Sequence, residues 1–254
     1  MVRLVDLSHP WGADTPTFPG QDPPVIRPVN VIGVSGNQTF MQRYDTTMHV
    51  GTHFDAQNHA IEGGADLASV PLDTLYGGGV IVDISDGVDE WDIIRPDHLT
   101  SRADIRPDDI VIIHTGWHDH FFYGNQPDPE KYLFRAPGGG IELAEWIVET
   151  RLKWIGVDLG SPDHPMNNAA IRRTRPDLVE AFEKKAGRPV DEVFPPGRRF
   201  CMHRVPFAGN ITHVENVGGD IDQVLGRRCD IGVFPWKLVG GDGCISRVVA
   251  FLDD

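Results

Sequence analysis

The sequence has few cysteines, and they do not form a recognisable set. Cys201, Cys229 and Cys244 are three in number and show no CxxC spacing. An odd number without that spacing does not predict a disulfide framework. We therefore expect buried free thiols at these positions.

Basic residues are scarce relative to acidic ones. Lysine and arginine number 23 against 37 aspartates and glutamates, which gives a formal net charge of -14. A chain with this charge repels both the phosphate backbone of a nucleic acid and an anionic membrane surface. We expect neither as a partner.

Long apolar runs are absent as well. No stretch approaches the length that crosses a bilayer, and residues 1–10 lack a basic segment followed by an apolar run. We expect a cytoplasmic protein. Its 254 residues are enough for one full hydrophobic core, and no linker or shift in composition divides them, so we expect one domain over residues 1–254.

The segment from His49 to His59 concentrates the residues that bind metal ions. In an extended backbone, side chains alternate between faces, so His49, His53 and Asp55 would point the same way. Gly51 would leave space between them. Two imidazoles and a carboxylate suit a divalent ion such as zinc or manganese, with positions left for water and substrate. His59 lies past the expected end of this strand, where it could flank the ion without ligating it.

A second group of histidines competes for the metal assignment. His114, His118 and His120 surround a Thr-Gly-Trp segment that follows an apolar run. No carboxylate shares their face except Asp119, and a strand leading into a loop does not hold this spacing in a known geometry. We interpret these histidines as partly exposed or as support for another site.

Apolar runs and periodicity predict an α/β fold. Buried strands are expected at 80–84 and 109–115, and a helix from Ile141 to Arg151 leads almost directly into another strand at 154–158. A second amphipathic helix is expected at 177–186.

The last third of the chain contains one further candidate pair. Strand-like segments are expected at 199–207, 211–217, 229–235 and 246–252. His203 and Glu215 each fall in such a segment and could project from neighbouring strands. Spacing alone is a weak indication, because His213 shares the face of Glu215 and could take the place of His203.

The segment from His49 to His59 resembles the HxGTHxDxPxH signature of the metal-dependent cyclase family, which includes bacterial kynurenine formamidase and isatin hydrolase. Gln57 stands where the family usually has proline, which predicts a less rigid or differently angled backbone before His59. Supporting likenesses follow in the family order at Asp6 to Pro10, Phe18 to Gly20, Thr115 to Trp117, Gly156 to Asp158, and Glu215-Asn216.

The resemblance implies a site and a fold. It implies that His49, His53 and Asp55 ligate a metal ion, and that His203 and Glu215 contribute to a second metal position bridged by Asp55. One or two zinc or manganese ions per chain would follow. The implied fold is α/β, with a central mixed, barrel-like (swivelling β/β/α) sheet and flanking helices, in a homo-dimer or homo-tetramer.

The function that follows from the resemblance is metal-dependent hydrolysis of an amide bond other than a peptide bond, in a small molecule such as an aryl formamide, isatin or a lactam. His59 would be the general base and then the general acid, since an imidazole suits proton transfer near neutral pH. Trp11, Phe40 and Trp117 are candidates to contact a planar substrate. The alternatives are a metal-dependent cyclase or dehydratase, and a small-molecule binding protein without catalysis.

Overall fold

The computed structural model describes residues 1–253. Its strands are β1 Val2–Asp6, β2 Val25–Asn30, β3 Met41–Asp45, β4 His53–Asp55, β5 Tyr76–Asp83, β6 Ile93–Ile94, β7 Ile110–His114, β8 Gly138–Gly139, β9 Trp154–Val157, β10 Thr212–Glu215, β11 Arg228–Val233, β12 Gly243–Ile245 and β13 Val248–Asp253. Its α-helices are α1 Leu72–Leu75, α2 Pro96–Thr100, α3 Pro129–Phe134, α4 Ile141–Thr150, α5 Ala169–Thr174, α6 Pro176–Ala186, α7 Val190–Val193 and α8 Cys201–Ala208.

One mixed sheet organises the fold. Within the described residues it has nine strands in the order β1-β13-β11-β5-β7-β9-β10-β4-β12. The strands β5, β7, β9 and β10 run parallel to one another, whereas the strands on either side pair antiparallel. Apolar strands without polar alternation, such as Ile110–Ile113, are buried on both faces, as parallel strands usually are.

Two hydrophobic cores lie on opposite faces of this sheet. Val111 and Ile113 of β7 point to one core, which α4 and α8 cover. Ile112, between them, points to the other core and packs there with Val5 of β1 and Phe54 of β4. Since β1 and β4 stand near opposite ends of the strand order, their common core requires a curled sheet. The predicted α/β class with a mixed, barrel-like sheet is confirmed.

The predicted helices are confirmed within one residue of their ends. Helix α4 spans Ile141–Thr150 and ends at Arg151, and α6 spans Pro176–Ala186 and ends at Gly187 with φ +71°. A left-handed glycine after the last turn is a common helix terminator.

The strand predicted at residues 199–207 is wrong. Residues Cys201–Ala208 form helix α8, which packs on α4. Composition favoured a strand, but the buried side chains recur at helical spacing, with Met202 and Pro206 as one i,i+4 pair and His203 and Phe207 as another. Burial of that stripe against α4 therefore decides the local structure.

No helix in residues 1–253 combines the length and apolar character needed to cross a membrane. The assignment of residues 1–254 to a single domain stays a prediction, as does the cytoplasmic location.

Candidate metal centre

Strand β4 and a turn before it bring together the first three predicted ligands. His53 and Asp55 lie on one face of β4, with His53 Nε2 at 3.1 Å from Asp55 Oδ1. His49 is not part of that strand. The chain turns at Gly51, whose φ is +67°, and returns the His49 ring so that Nδ1 lies 2.8 Å from Asp55 Oδ1. The three side chains therefore converge, although β4 includes His53 and Asp55 but not His49, which we expected on the same strand.

Gly51 is required for this turn in two ways. Its positive φ is a conformation that side chains other than glycine rarely adopt. A Cβ at this position would also lie 2.9 Å from Cδ1 of Trp11, too close for an unstrained contact. The glycine of the Gly-Thr-His segment is therefore required sterically, because no other residue fits the turn that brings His49 to Asp55.

Helix α8 and strand β10 supply the second half of the group. Glu215 pairs with His53 in the antiparallel register of β10 and β4, and its Oε2 lies 3.4 Å from His53 Nε2. His203 projects from α8, with Nε2 at 3.4 Å from Glu215 Oε1 and 3.7 Å from Asp55 Oδ2. The structure thus joins His203 and Glu215 to Asp55, although His203 comes from a helix and not from a strand.

Two residues outside the predicted set also reach the centre. His213, which the sequence offered as a replacement for His203, lies beside it, with Nε2 at 2.9 Å from Asp55 Oδ2. Its signal was the shared strand face with Glu215. Asp242, in the loop before β12, places Oδ2 at 3.0 Å from His49 Nε2. Sequence reasoning missed Asp242, because an aspartate among glycines is typical of an ordinary turn.

His59 flanks this group. It ends a 3-10 turn over Gln57–His59, and its ring centroid lies 4.0 Å from that of His49 and 5.7 Å from that of His203. Partial burial lowers its pKa below the usual 6.5, so the imidazole is neutral at pH 7. A neutral imidazole beside the centre can accept a proton.

Gln57, the departure from the family signature, ties this turn to α8. Its side-chain amide donates hydrogen bonds to the Phe207 carbonyl at 2.8 Å and to Asn210 Oδ1 at 2.7 Å, and its Oε1 accepts one from the Ala65 amide at 2.9 Å. The helix that these bonds reach also carries His203. Three side-chain hydrogen bonds therefore hold the backbone before His59.

The donor atoms suit a divalent transition metal. His53 Nδ1 bonds to the Gly51 carbonyl at 2.7 Å, which leaves Nε2 as a lone-pair donor, and this buried Nε2 has no hydrogen-bond partner. Asp163 fixes His203 in the same way, with Oδ2 at 2.8 Å from Nδ1. Histidines oriented through their second nitrogen are typical of metal ligands. Burial opposes ionisation of Asp55, but the surrounding histidines hold its pKa well below the usual range, so it is a carboxylate.

A cavity of about 150 Å³ opens onto these side chains. His49, Asp55, His59, His203 and Glu215 form its floor. Its remaining walls combine apolar side chains with amides, namely Phe18, Leu133 and Phe200 with Gln21, Asn168 and Asn216. The aromatic lining therefore comes from Phe18 and Phe200.

The three aromatic residues proposed as substrate contacts do not line this cavity. Trp117 is 5% exposed and packs in the core, with its indole N–H 3.4 Å from the Lys131 carbonyl. Phe40 is 55% exposed and precedes β3. Trp11 packs near the Gly51 turn, with its ring 5.8 Å from that of Tyr44. Trp117 is thus a core residue, Phe40 lies at the surface, and Trp11 packs beside the turn at Gly51, so their contact with a substrate stays a prediction.

Known proteins are similar to this chain in sequence and in fold. Kynurenine formamidase of Bordetella avium is 26% identical over 172 residues, which cover 64% of this chain and 72% of that protein. Isatin hydrolase A from Ralstonia solanacearum superposes with a TM-score of 0.79 at 21% identity, over 99% of this chain and 92% of the other. A predicted metal-dependent hydrolase from Bacillus stearothermophilus gives a TM-score of 0.67 at 20% identity, over 99% and 98% of the two chains.

The family profile described as "Putative cyclase" matches residues 5–164, a range that includes the whole segment from His49 to His59. This match covers more than half of the sequence, and it begins in β1 and passes through β9. The chain therefore belongs to the cyclase family.

Proposed function

We propose that the chain is a metal-dependent hydrolase of a non-peptide amide bond in a small molecule, either an aryl formamide or a cyclic amide such as isatin or a lactam. The observation that carries the proposal is a buried group of histidines and carboxylates at the floor of a small cavity, with a neutral histidine beside it. The names of its relatives, kynurenine formamidase and isatin hydrolase, support this substrate class.

His49, His53 and Asp55 would hold one divalent ion, and Asp55 with His203, His213 and Glu215 would hold a second. All four side chains of the latter set are buried, and their donor atoms lie within 4.8 Å of one another. Imidazole and carboxylate donors together suit zinc or manganese. Such an ion supplies a Lewis acid that polarises a carbonyl and lowers the pKa of water to about 7.

His59 is the proposed general base and acid. It lies at the cavity floor beside His49 and His203, and its imidazole is neutral at pH 7. A neutral ring can take the proton of the attacking water and then give it to the leaving nitrogen. Because the same atom would serve both steps, removal of this ring should lower kcat more than it raises KM.

The cavity favours a small planar substrate. A void of about 150 Å³ is enough for a benzene-sized ring. Phe18 and Phe200 offer apolar contacts, and the amides of Asn168 and Asn216 are available for the polar groups of an aryl amide. The fit of volume and lining supports an aromatic or compact cyclic amide.

Substitution of His59 tests the proposal. His59→Ala should lower kcat on N-formylkynurenine, isatin or an active lactam by about 10²- to 10⁴-fold, the usual contribution of general acid–base catalysis. Metal content, measured by elemental analysis, should not change. The matched control is His120→Ala, because this side chain is partly exposed and bonds only to a loop carbonyl, that of Gln126.

Two results would overturn the hydrolase assignment. One is the absence of turnover on this substrate panel by protein that retains its metal. The other is a product acid without ¹⁸O after turnover in water labelled with ¹⁸O. Hydrolysis puts the solvent oxygen into the product acid, whereas cyclisation or dehydration does not.

A homo-dimer or homo-tetramer is part of the same proposal. The hairpin formed by β2 and β3, with the loop between them, exposes Val29, Ile32, Met41 and Tyr44 to at least half of their full area. Contiguous exposed apolar groups commonly mark an interface. Light scattering combined with gel filtration measures the number of chains.

A further inference from the structure

A second histidine and carboxylate group lies outside the centre described above. His114 ends β7, His118 lies on the 3-10 turn Trp117–His120, and Asp158 directly follows β9. Strands β7 and β9 run parallel, with Ile113 opposite Val157, so their ends bring His114 and Asp158 to the same edge. The carboxylate that the sequence did not place beside these histidines is therefore supplied by the neighbouring strand. His120 is separate, with its Nδ1 bonded to the Gln126 carbonyl.

The three side chains converge on one point. Asp158 Oδ2 lies 3.5 Å from His118 Nδ1 and 3.9 Å from His114 Nε2. The donor atoms of the three residues lie within 4.8 Å of one another. A tetrahedral zinc ion with bonds of about 2.0–2.1 Å places its ligand atoms about 3.4 Å apart. Shifts of a few tenths of an ångström for the nearest pairs would give that spacing.

Each histidine presents a free nitrogen to this point. His114 Nδ1 bonds to Asp83 Oδ1 at 2.9 Å, so its Nε2 is left as an acceptor, and that buried Nε2 has no hydrogen-bond partner. His118 Nδ1 is also buried without a partner, while its Nε2 lies 3.6 Å from Asp119 Oδ1. Both side chains are more than nine-tenths buried. For His114, orientation by a carboxylate on the opposite nitrogen is the arrangement that metal-ligating histidines usually have.

Asp158 is equally oriented. Its side chain is completely buried, and Oδ1 accepts hydrogen bonds from the backbone amide and the hydroxyl of Thr115 at 2.9 and 2.7 Å. Oδ2 faces both histidine side chains and accepts one long hydrogen bond, from the His118 backbone amide at 3.5 Å. A buried carboxylate requires a positive partner. Asp222, which is exposed on a 3-10 turn, lies on the solvent side of this group, 3.8 Å from Nε2 of His114 and 3.8 Å from Nε2 of His118.

We propose that His114, His118 and Asp158 bind a divalent transition-metal ion, and that zinc fits this donor set best. Two imidazoles and one carboxylate are ligand types that zinc binds in proteins. The ion would fasten the turn at 117–120 to the ends of β7 and β9. This assignment is independent of the proposed hydrolase activity, since none of these residues belongs to the centre around Asp55.

Metal stoichiometry tests the site in solution. Protein saturated with zinc and freed of excess by gel filtration should hold one more ion per chain than the His118→Asn variant, as measured by elemental analysis. The matched control His120→Asn, two residues away, should hold as many ions as the wild type. Equal zinc content in wild type and His118→Asn overturns the proposal, and so does the same loss in His120→Asn.

Anomalous X-ray scattering keeps the test decisive where His118→Asn does not fold. Wild-type crystals soaked in zinc should give an anomalous peak about 2.0–2.2 Å from His114 Nε2 and from Asp158 Oδ2. A peak at the Asp55 centre with none at His114 overturns the second site and leaves the hydrolase proposal standing. A peak at His114 in a protein without hydrolase activity supports the second site and counts against the hydrolase proposal.

Discussion

At the scale of single residues, the centre depends on groups that orient its ligands. Asp163 is buried behind His203, and one of its oxygens bonds to Nδ1 of that imidazole at 2.8 Å. The other accepts from the Met202 amide at 3.1 Å and from the Asn167 side chain at 3.0 Å. Both oxygens are therefore committed, and the His203 ring is held with Nε2 toward Asp55 and Glu215.

Replacement of Asp163 by asparagine should weaken metal binding without removing a ligand. The amide can no longer offer a charged acceptor to His203, and such partners usually contribute about 10- to 100-fold to metal affinity. Titration calorimetry with manganese should show that loss for Asp163→Asn. The control Asp86→Asn removes an exposed carboxylate paired with Arg102 and should leave the dissociation constant unchanged. Equal affinities in the wild type and Asp163→Asn would contradict this role.

Local chemistry explains which site residues the sequence could predict. His53 and Asp55 share a strand face, so a two-residue spacing was sufficient for them. The same spacing pointed to His213 beside Glu215, but it could not decide between His213 and His203, and the structure places both near Asp55. Trp117 was a candidate for substrate contact because the sequence did not indicate that its side chain is buried.

At the scale of elements, the short edge strand β12 controls the position of His49. Gly243 pairs with Asp55 across β12 and β4. A Cβ on Gly243 would lie 2.5 Å from Cε1 of His49, well inside the contact distance. The imidazole therefore packs on bare backbone, and the strand needs glycine at this register position.

Gly243→Ala should displace the His49 ring. We expect weaker metal binding, and a cost of about 1–3 kcal/mol in the free energy of unfolding, as for other overpacked sites. Urea unfolding and metal titration measure the two effects. The control is Gly78→Ala in β5, where the nearest atom to a new Cβ is 3.9 Å away. If Gly243→Ala binds metal as Gly78→Ala does, the packing argument for β12 fails.

Elements were predicted well where periodicity was long and poorly where it was short. The ten residues of α4 and the eleven of α6 gave clear amphipathic patterns. Helix α8 has eight residues with a proline inside, so its composition looked like a strand until packing on α4 decided the outcome. Strand β4 has three residues, too few for the alternating pattern to continue back to His49.

At the scale of the whole molecule, the site is an outcome of long-range pairing. Glu215 and His53 are separated by nearly two-thirds of the chain length, and they meet because β10 lies between β9 and β4 in the sheet. Hydrophobic periodicity identifies strands but not their order. The resemblance at His49 to His59 implied both the sheet and the partnership of His203 with Glu215, which no local pattern could supply.

Global stability should depend on pH through His164, which is completely buried. Its Nε2–H donates to the Trp91 carbonyl at 2.9 Å, and its Nδ1 accepts from the Met166 amide at 3.0 Å. Protonation of Nδ1 would break the second bond inside a core that includes Phe182 and Phe194. Burial therefore lowers the pKa of His164 from 6.5 to about 4.

The unfolded chain binds a proton at His164 near pH 6.5, and the folded chain does so only near pH 4, so the stability is complete above pH 6.5 and is lost as the pH falls toward 4. At pH 5 the loss from this residue is about 2 kcal/mol.

His164→Gln can keep one donor and one acceptor but does not titrate. Urea unfolding at pH 7 and pH 5 should therefore show a fall in stability about 2 kcal/mol smaller for the variant. Other buried histidines, such as His9, titrate in both proteins and cancel in this comparison. Parallel stability curves for the two proteins would mean that His164 carries its proton equally in the folded and unfolded chains.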